Sequence, residues 1–376
     1  MSKDTYCSQP YYNIHIEGED KTPCCLIYNS DYVSTLPLEQ AFKSDMFESI
    51  RTSFDKGEKH PACATCWRQE SVSGRSPRQS YTQRHRELTG ITTRVPQPVS
   101  IQWAFSNTCN FACRTCNLKY STGWLNETRK LRDQGDTDAI RHYDTWYKSP
   151  WDQTRLEEIV PHLEHIQHLE LFGGETLLSA RMPELLELII SQGRAKHITL
   201  VLTTNGSVAP KKDLVSLLSQ FKAVEMTFSI DAVTQDTFRY IRTGDWQQVQ
   251  ENIALWREQP VDTHANPTFS SLNIWDCDRI LKTLGDMFGI TRVGWNWVEA
   301  PARYNAVHLP EHVKQHITEH STYFHSRKLL PQLYSSTRSD TLWQDFLQRT
   351  EWLDDSRKQP MKKFMPELYA LINKTK

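Results

Sequence analysis

Three cysteines stand close together in the segment Cys109-Asn-Phe-Ala-Cys113-Arg-Thr-Cys116. Thiolates at this CxxxCxxC spacing can hold three irons of a [4Fe–4S] cube on one short loop, whereas such clusters normally take four cysteines. The spacing therefore predicts a cluster with one iron open to an exogenous ligand. A zinc knuckle is the alternative, but zinc usually takes four nitrogen or sulfur ligands, and no fourth is nearby in the sequence.

Five further cysteines precede this loop, namely Cys7, Cys24, Cys25, Cys63 and Cys66. Four thiolates are what a fully ligated second [4Fe–4S] cluster requires, and we assign Cys7, Cys24, Cys63 and Cys66 to it. Cys25 is the alternative to Cys24, because neighbouring side chains in an extended segment point in opposite directions. A structural zinc site with the same four thiolates is a second interpretation.

The elements that must position these cysteines alternate between strands and helices from about residue 97. Strand-like runs are predicted at 99–105, 166–172, 197–203, 223–229, 268–274 and 291–298, with helical periodicity at 180–191, 215–221, 246–256 and 279–287. This alternation predicts parallel strands in a partial (β/α)6 barrel of the α/β class, with catalytic groups at the carboxyl ends of the strands. We divide the chain into a cysteine-rich region (1–96), a core (97–300) and a helical C-terminal extension (301–376).

Short motifs occur at the ends of successive predicted strands. They are Phe172-Gly173-Gly174-Glu175, Thr203-Thr204-Asn205-Gly206 and Ser229-Ile230-Asp231-Ala232, followed by Tyr240-Ile241-Arg242-Thr243-Gly244. Glycines permit close approach of the backbone to a ligand, and a carboxylate is a suitable partner for an ammonium group. In this order, and together with the CxxxCxxC loop, the motifs resemble those of the radical S-adenosylmethionine (SAM) superfamily.

The resemblance implies a cofactor site with defined roles. It implies that Gly173, Gly174 and Glu175 hold the methionine ammonium, that Asn205 lies in the adjoining turn, that Ser229 and Asp231 face the ribose and the methionine carboxylate, and that Arg242 pairs with that carboxylate. Many members place an aromatic residue before the third cysteine to contact adenine. Here that position is Thr115, and Phe111 is the only aromatic residue in the loop.

The resemblance also implies a reaction. An electron donor of the flavodoxin or ferredoxin type reduces the Cys109/Cys113/Cys116 cluster, SAM is cleaved to methionine and a 5′-deoxyadenosyl radical, and this radical abstracts hydrogen from an unactivated C–H bond. Cys277 follows the predicted fifth strand and can donate a hydrogen atom to a substrate radical; a buried, inert thiol is the more ordinary interpretation.

The N-terminal pattern, from Cys7 through Pro23-Cys24-Cys25 to Cys63-x-x-Cys66-Trp67, resembles the twitch or SPASM type of auxiliary-cluster domain. Such domains more often follow the barrel than precede it. The resemblance favours a peptide or protein substrate that is crosslinked, epimerised or oxidised. A small molecule, such as a sugar or a cofactor precursor, is the alternative.

Composition and charge bear on the binding partners and on the cellular location of the protein. The 376 residues carry a formal net charge of −1, so charge gives no reason to expect nucleic acid or an anionic membrane as a partner. The basic stretches 75–86 and 357–376 are the only features favouring a nucleic-acid modifier, and such runs are usually solvated surfaces. A polar N-terminus and the lack of a long apolar run predict a cytoplasmic protein. A non-catalytic zinc-binding adaptor is the remaining alternative.

Overall fold

The computed structural model of the chain describes residues 5–89, 95, 97–147 and 156–374. Nine strands are present in this part of the chain: β1 (Asn13–Glu17), β2 (Asp20–Thr22), β3 (Ser100–Ser106), β4 (His168–Gly173), β5 (Thr199–Thr204), β6 (Ala223–Phe228), β7 (Asp262–Ala265), β8 (Thr268–Phe269) and β9 (Asn296–Trp297). Seven form one sheet in the order β2-β1-β3-β4-β5-β6-β7, and β8 pairs with β9 in a separate parallel sheet. Only the β1–β2 hairpin is antiparallel in the large sheet, so the predicted partial α/β barrel is confirmed.

Helices surround this sheet and fill both ends of the chain. The N-terminal region contains α1 (Gln9–Tyr12), α2 (Leu38–Phe42), α3 (Asp45–Asp55), α4 (Ala64–Ser73) and α5 (Pro77–Thr89). The core contains α6 (Leu125–Asp133), α7 (Thr137–His142), α8 (Leu156–Ile159), α9 (Met182–Ser191), α10 (Lys212–Leu218), α11 (Gln235–Arg242), α12 (Trp246–Arg257) and α13 (Cys277–Phe288). The C-terminal extension is helical as predicted, with α14 (Glu311–His320), α15 (Phe324–Arg327), α16 (Asp340–Arg357), α17 (Met361–Phe364) and α18 (Pro366–Ile372). None of these helices is long and apolar enough to span a membrane.

The two faces of the sheet differ in polarity. Alternate residues on β4 to β6, such as Leu169, Leu171, Leu200, Leu202 and Met226, are buried in the main hydrophobic core. The residues between them form the opposite face, which we call the inner face. Side by side across it in one register row lie His15, Gln102, Glu170, Val201 and Glu225. Since Glu170 and Glu225 are half-exposed, solvent reaches the inner face.

Two of the predicted strands were wrong in position or length. The fifth strand of the core, β7, is Asp262–Ala265, whereas the predicted run 268–274 contains only Thr268–Phe269 before it turns into a helical segment. The predicted run 291–298 is a strand only at Asn296–Trp297. In the sequence Asp-Thr-His-Ala, the buried residues Thr263 and Ala265 alternate with the accessible residues Asp262 and His264. The strand therefore has no apolar run, and a search for apolar segments does not find it.

The N-terminal region is largely helical and joins the core sheet. It supplies five helices, and β1 pairs in parallel with β3 from Asn13 opposite Ser100 to Glu17 opposite Ala104. Helix α5 lies over the inner face, where Arg84 forms an ion pair with Glu225 at 2.6 Å. The cysteine-rich region therefore extends the core sheet and covers part of its inner face.

Candidate functional site

The CxxxCxxC loop follows β3 directly and is held by the neighbouring strand ends. Asn205 Nδ2 donates to Asn110 Oδ1 at 3.0 Å and lies 3.7 Å from Cys109 Sγ. Cys113 Sγ lies 3.7 Å from the carbonyl oxygen of Arg242. Burial, followed by repulsion from Cys113 and Cys109, raises the pKa of Cys116, which shows that the three thiols are neighbours.

The three thiols have the character of ligands for a multinuclear centre. Burial raises the pKa of Cys113 to about 11, and the charge of Arg242 opposes the rise. A bound metal centre would stabilise all three cysteines as thiolates. No three His, Cys, Asp or Glu side chains among the described residues converge closely enough to hold a single metal ion. A [4Fe–4S] cube takes one thiolate per iron, so its ligands do not need to meet at one ion.

Gly173 and Gly174 allow the end of β4 to approach the start of the cysteine loop. Gly174 N donates to Ser106 O at 2.6 Å, and Glu175 N donates to Thr108 O at 2.7 Å. Gly173 has a φ of 132°, and a Cβ there would lie 2.3 Å from Ser106 O. A Cβ on Gly174 would lie 2.3 Å from Thr108 O. Any side chain at either position would push the loop away from the sheet.

Glu175 connects the ends of β4 and β5. Its buried carboxylate accepts hydrogen bonds from Asn205 N at 2.6 Å, Thr204 Oγ1 at 2.8 Å and Leu177 N at 3.1 Å. Burial raises the pKa of Glu175, while these three hydrogen bonds oppose the rise. An ionised carboxylate offers about four acceptor sites, so it can still accept a donor such as an ammonium group.

Asp231 and Arg242 form a buried ion pair at the end of β6. Arg242 Nη1 lies 2.6 Å from Asp231 Oδ2, and Thr268 N donates to Asp231 Oδ1 at 2.8 Å. Burial lowers the pKa of Arg242, but the Cys113 thiolate and the Asp231 carboxylate outweigh it, and the net pKa is raised. Arg242 Nε is buried and has no hydrogen-bond partner among the described residues. A buried donor without a partner is costly, and a carboxylate beside the cysteine loop would satisfy it.

Residues 103–284 match the family model described as the radical SAM superfamily. The chain contains a radical SAM enzyme domain. The match covers the cysteine loop, the Gly173–Glu175 turn, Asn205, Ser229, Asp231 and Arg242, all of which lie within these residues. The [4Fe–4S] cluster and SAM that the family implies fit the three half-buried cysteines and the unsatisfied Arg242 donor.

The chain aligns with only part of the length of each protein that it resembles. A curated relative named GTP 3′,8-cyclase, from Syntrophomonas wolfei, is 29% identical over 165 residues, which is 43% of this chain and 42% of the relative. A solved structure titled "Native anSMEcpe with bound AdoMet" is 14% identical, covers 57% of each chain and has a TM-score of 0.38. A structure of Streptococcus suis SuiB bound to precursor peptide SuiA is 12% identical, covers 84% of this chain and 60% of that chain, and has a TM-score of 0.35.

Two other residues considered from the sequence, Phe111 and Cys277, have buried side chains. Phe111 is buried edge-on against Phe238 and packs closely on Gly244, where a Cβ would lie 2.2 Å from its ring. Cys277 is buried at the start of α13, and burial raises its pKa to about 12. Its Sγ lies 3.8 Å from Asp278 Oδ1, beside a cavity between α13, α14 and α18.

Four N-terminal cysteines line a second cavity. Cys7, Cys24, Cys63 and Cys66 all border a space of about 420 Å³ that includes its opening to solvent. Cys25 is not among its lining residues, and its Sγ instead contacts the Tyr81 hydroxyl at 3.5 Å. The thiols come from the start of α1, the turn after β2 and the start of α4, so only folding brings them together.

Arg78 is a residue of this cavity that the sequence did not single out. Its guanidinium lies 2.8 Å from Glu70 and 4.8 Å from the centre of the Trp67 ring. Burial raises the pKa of Cys63 to about 12, and the charge of Arg78 opposes the rise. The only sequence signal was an arginine within the basic stretch 75–86, which is ordinarily a surface feature.

Arg114 was also overlooked, although it lies inside the CxxxCxxC motif. Its side chain is 1% exposed and forms an ion pair with Asp354 of α16 at 2.8 Å. The guanidinium carbon lies 3.6 Å from the centre of the Tyr240 ring, and the Tyr240 hydroxyl donates to Asp354 at 2.8 Å. Through this group the C-terminal extension holds the cysteine loop. A charged residue between two ligand cysteines was the available signal.

Proposed function

We propose that this protein reductively cleaves SAM at a [4Fe–4S] cluster held by Cys109, Cys113 and Cys116 and abstracts hydrogen from a substrate C–H bond. When bound, the cluster and SAM together supply the 5′-deoxyadenosyl radical. Glu175 receives the methionine ammonium, and Arg242 Nε receives the methionine carboxylate. The observation that carries the proposal is the convergence of the cysteine loop with the ends of β4, β5 and β6.

We further propose an auxiliary cluster in the N-terminal cavity, ligated by Cys7, Cys24, Cys63 and Cys66. Support comes from the four thiols that border one space while Cys25 faces Tyr81. Arg78 neutralises part of the thiolate charge, and Leu26 N, 3.5 Å from Cys24 Sγ, is a donor to that sulfur. Structural zinc would need the four thiols to meet at one ion, and no three such side chains in the described part of the chain converge that closely.

The substrate we propose is a peptide or protein, which is then crosslinked, epimerised or oxidised. The N-terminal cysteine pattern that resembles the twitch or SPASM type supports it. The second candidate is a nucleotide, because the curated relative is named GTP 3′,8-cyclase. A nucleotide triphosphate would require unpaired cationic side chains in the substrate site, whereas a peptide would not. The charge of the substrate site therefore distinguishes a nucleotide substrate from a peptide substrate.

The test begins with anaerobic reconstitution using iron and sulfide, followed by dithionite and SAM. 5′-Deoxyadenosine is measured by mass spectrometry, and iron, zinc and sulfide are measured on the same sample. Wild type is expected to hold about eight irons, and a Cys109/Cys113/Cys116→Ala variant about four. Only wild type is expected to produce 5′-deoxyadenosine.

A matched variant, Cys7/Cys63/Cys66→Ala, separates the two centres. It is expected to lose about four irons while keeping the ligands of the SAM cluster. A colourless wild-type protein that holds zinc and leaves SAM intact would overturn the enzyme proposal and favour the zinc-binding adaptor. Four irons at the SAM loop with zinc in the N-terminal cavity would overturn only the auxiliary cluster.

A further inference from the structure

Glu170 is a carboxylate of the inner face that has no partner cation among the described residues. Glu170 Oε2 accepts a hydrogen bond from Gln102 Nε2 at 2.9 Å, and it forms no ion pair with any described residue. Two other acids around this face are paired, Glu225 with Arg84 at 2.6 Å and Glu299 with Arg68 at 2.6 Å, whereas Asp20, opposite Glu17 on β2, also has no ion pair in the described part of the chain. Glu170 is half-exposed, so its charge is available to a ligand.

His15 supplies a second unsatisfied group in the same register row. Its side chain is 7% exposed, yet Nδ1 has no hydrogen-bond partner in the described part of the chain. Burial lowers the pKa of His15 to about 4, so the ring is neutral near pH 7 and does not act as a cation for Glu170. His15 and Glu170 flank Gln102, which places their backbones about 10 Å apart across two strand spacings.

This part of the inner face lies directly below the SAM turn. The His15 ring stacks on Phe172 with a centroid separation of 5.5 Å, and Phe172 is followed at once by Gly173 and Gly174. Glu170 lies three positions before Gly173, a distance of about 10 Å along an extended strand. A long aliphatic segment can occupy that distance and place its C–H bonds near the SAM site.

We infer that the inner face is the substrate subsite for a basic group, such as a lysine or arginine side chain, with Glu170 as the carboxylate that accepts it and His15 Nδ1 as a second hydrogen-bonding partner. The inference rests on the proposed function, because it assigns the substrate of that same site. Charge decides the class: an unpaired carboxylate attracts an ammonium or guanidinium and repels a triphosphate. The aliphatic part of the basic side chain then lies along Phe172 toward the SAM turn.

The test is selection from a synthetic library of N-acetylated, C-amidated hexapeptides by reconstituted full-length protein with SAM bound. The library contains lysine, arginine, norleucine and glutamate in equal amounts, and bound peptides are identified by mass spectrometry. Wild type is expected to enrich lysine or arginine over norleucine about tenfold, the ratio that one charge-assisted hydrogen bond provides. Glu170→Gln is expected to abolish this enrichment, and Glu170→Lys is expected to enrich glutamate instead.

Glu225→Gln is the matched control. It removes a half-exposed glutamate from the same register row, but one whose charge Arg84 already pairs, so the preference for basic peptides is expected to persist. Thermal unfolding by circular dichroism shows which variants are folded, and the reversal by Glu170→Lys is a gain that misfolding cannot produce. Equal selection by wild type and Glu170→Gln, or GTP displacing bound peptide at equimolar concentration, would overturn the inference.

Failure of the subsite and failure of the proposed function have different signatures. Wild-type protein that forms 5′-deoxyadenosine without any basic preference contradicts only the subsite. Protein that selects basic peptides through Glu170 but leaves SAM intact contradicts only the proposed chemistry, and the subsite inference then stands as a binding site.

Discussion

Replacing Asp354 with alanine removes the carboxylate that ties the C-terminal extension to the cysteine loop. Asp354 pairs with Arg114 at 2.8 Å, accepts from the Tyr240 hydroxyl at 2.8 Å and accepts from Met361 N at 2.6 Å. The variant leaves the Arg114 guanidinium buried without its counter-charge. We expect both a less stable protein and a less firmly held cluster loop.

The expected loss in the free energy of unfolding depends on the contacts that Arg114 keeps in the Asp354→Ala variant. Breaking a buried ion pair by removing one partner costs about 3–5 kcal/mol. Arg114 keeps its stacking on Tyr240 and a hydrogen bond from Nε to Tyr240 O at 2.9 Å, so we expect the lower end of this range. For 376 residues the unfolding entropy is about 0.8 kcal/mol/K, which converts about 3 kcal/mol into a Tm lower by about 4 °C.

Thermal unfolding of the metal-free protein measures this change, and iron content after reconstitution measures its effect on the loop. Asp355→Ala is the matched control, because the neighbouring carboxylate is exposed on the same helix. Asp354→Asn keeps the acceptor for Met361 N but loses the charge, and its Tm should lie between those of wild type and Asp354→Ala. If Asp354→Ala has the same Tm and the same iron content as Asp355→Ala, the ion pair between Asp354 of α16 and Arg114 of the cysteine loop does not stabilise the protein.

Three other changes test separate parts of the structure. Gly174→Ala should lower iron content by about four per chain, because its Cβ would lie 2.3 Å from Thr108 O, whereas Gly135→Ala meets nothing within 4 Å and should leave iron content unchanged. Cys24→Ala should reduce iron at the N-terminal cavity and Cys25→Ala should not; the reverse result, measured by iron and sulfide analysis, would exchange their roles. Burial lowers the pKa of His85 to about 4, so only the unfolded chain takes up this proton between about pH 6.5 and 4, and the free energy of unfolding falls over that window. Urea unfolding of wild type and His85→Asn at pH 7 and pH 5 should therefore differ in pH dependence by up to about 2 kcal/mol; equal slopes would contradict the burial of a neutral imidazole.

The site could be predicted from sequence where its residues are adjacent or follow a strand directly. The CxxxCxxC loop is local, and Gly173 and Gly174 are required by a close backbone approach that tolerates no other residue. The inner strands carry apolar runs because one face is buried, and their carboxyl ends meet at one edge. Strand β7 was missed for the converse reason, since its short polar sequence resembles a turn.

Contacts between distant parts of the chain could not be predicted from the sequence. Arg114 and Asp354 are separated by 240 positions, and nothing local to either residue indicates the other. The parallel pairing of β1 with β3 is likewise invisible in the N-terminal sequence, although it places His15 on the inner face. Glu170 was read as one residue of an apolar strand, and only the folded structure shows that it lies on the inner face without a partner cation among the described residues.

The amino-acid sequence by itself determined the chemistry that the chain can support: three thiols on one loop, glycines where the backbone must approach closely, and carboxylate and guanidinium groups at strand ends. Motifs of this kind are readable because their geometry depends on residues only a few positions apart. The tertiary structure alone decided which of the adjacent Cys24 and Cys25 borders the N-terminal cavity, which arginines are buried and which carboxylates remain unpaired. Each of these depends on the burial and charge of residues brought together from distant segments, and burial and charge pairing are properties of the folded chain.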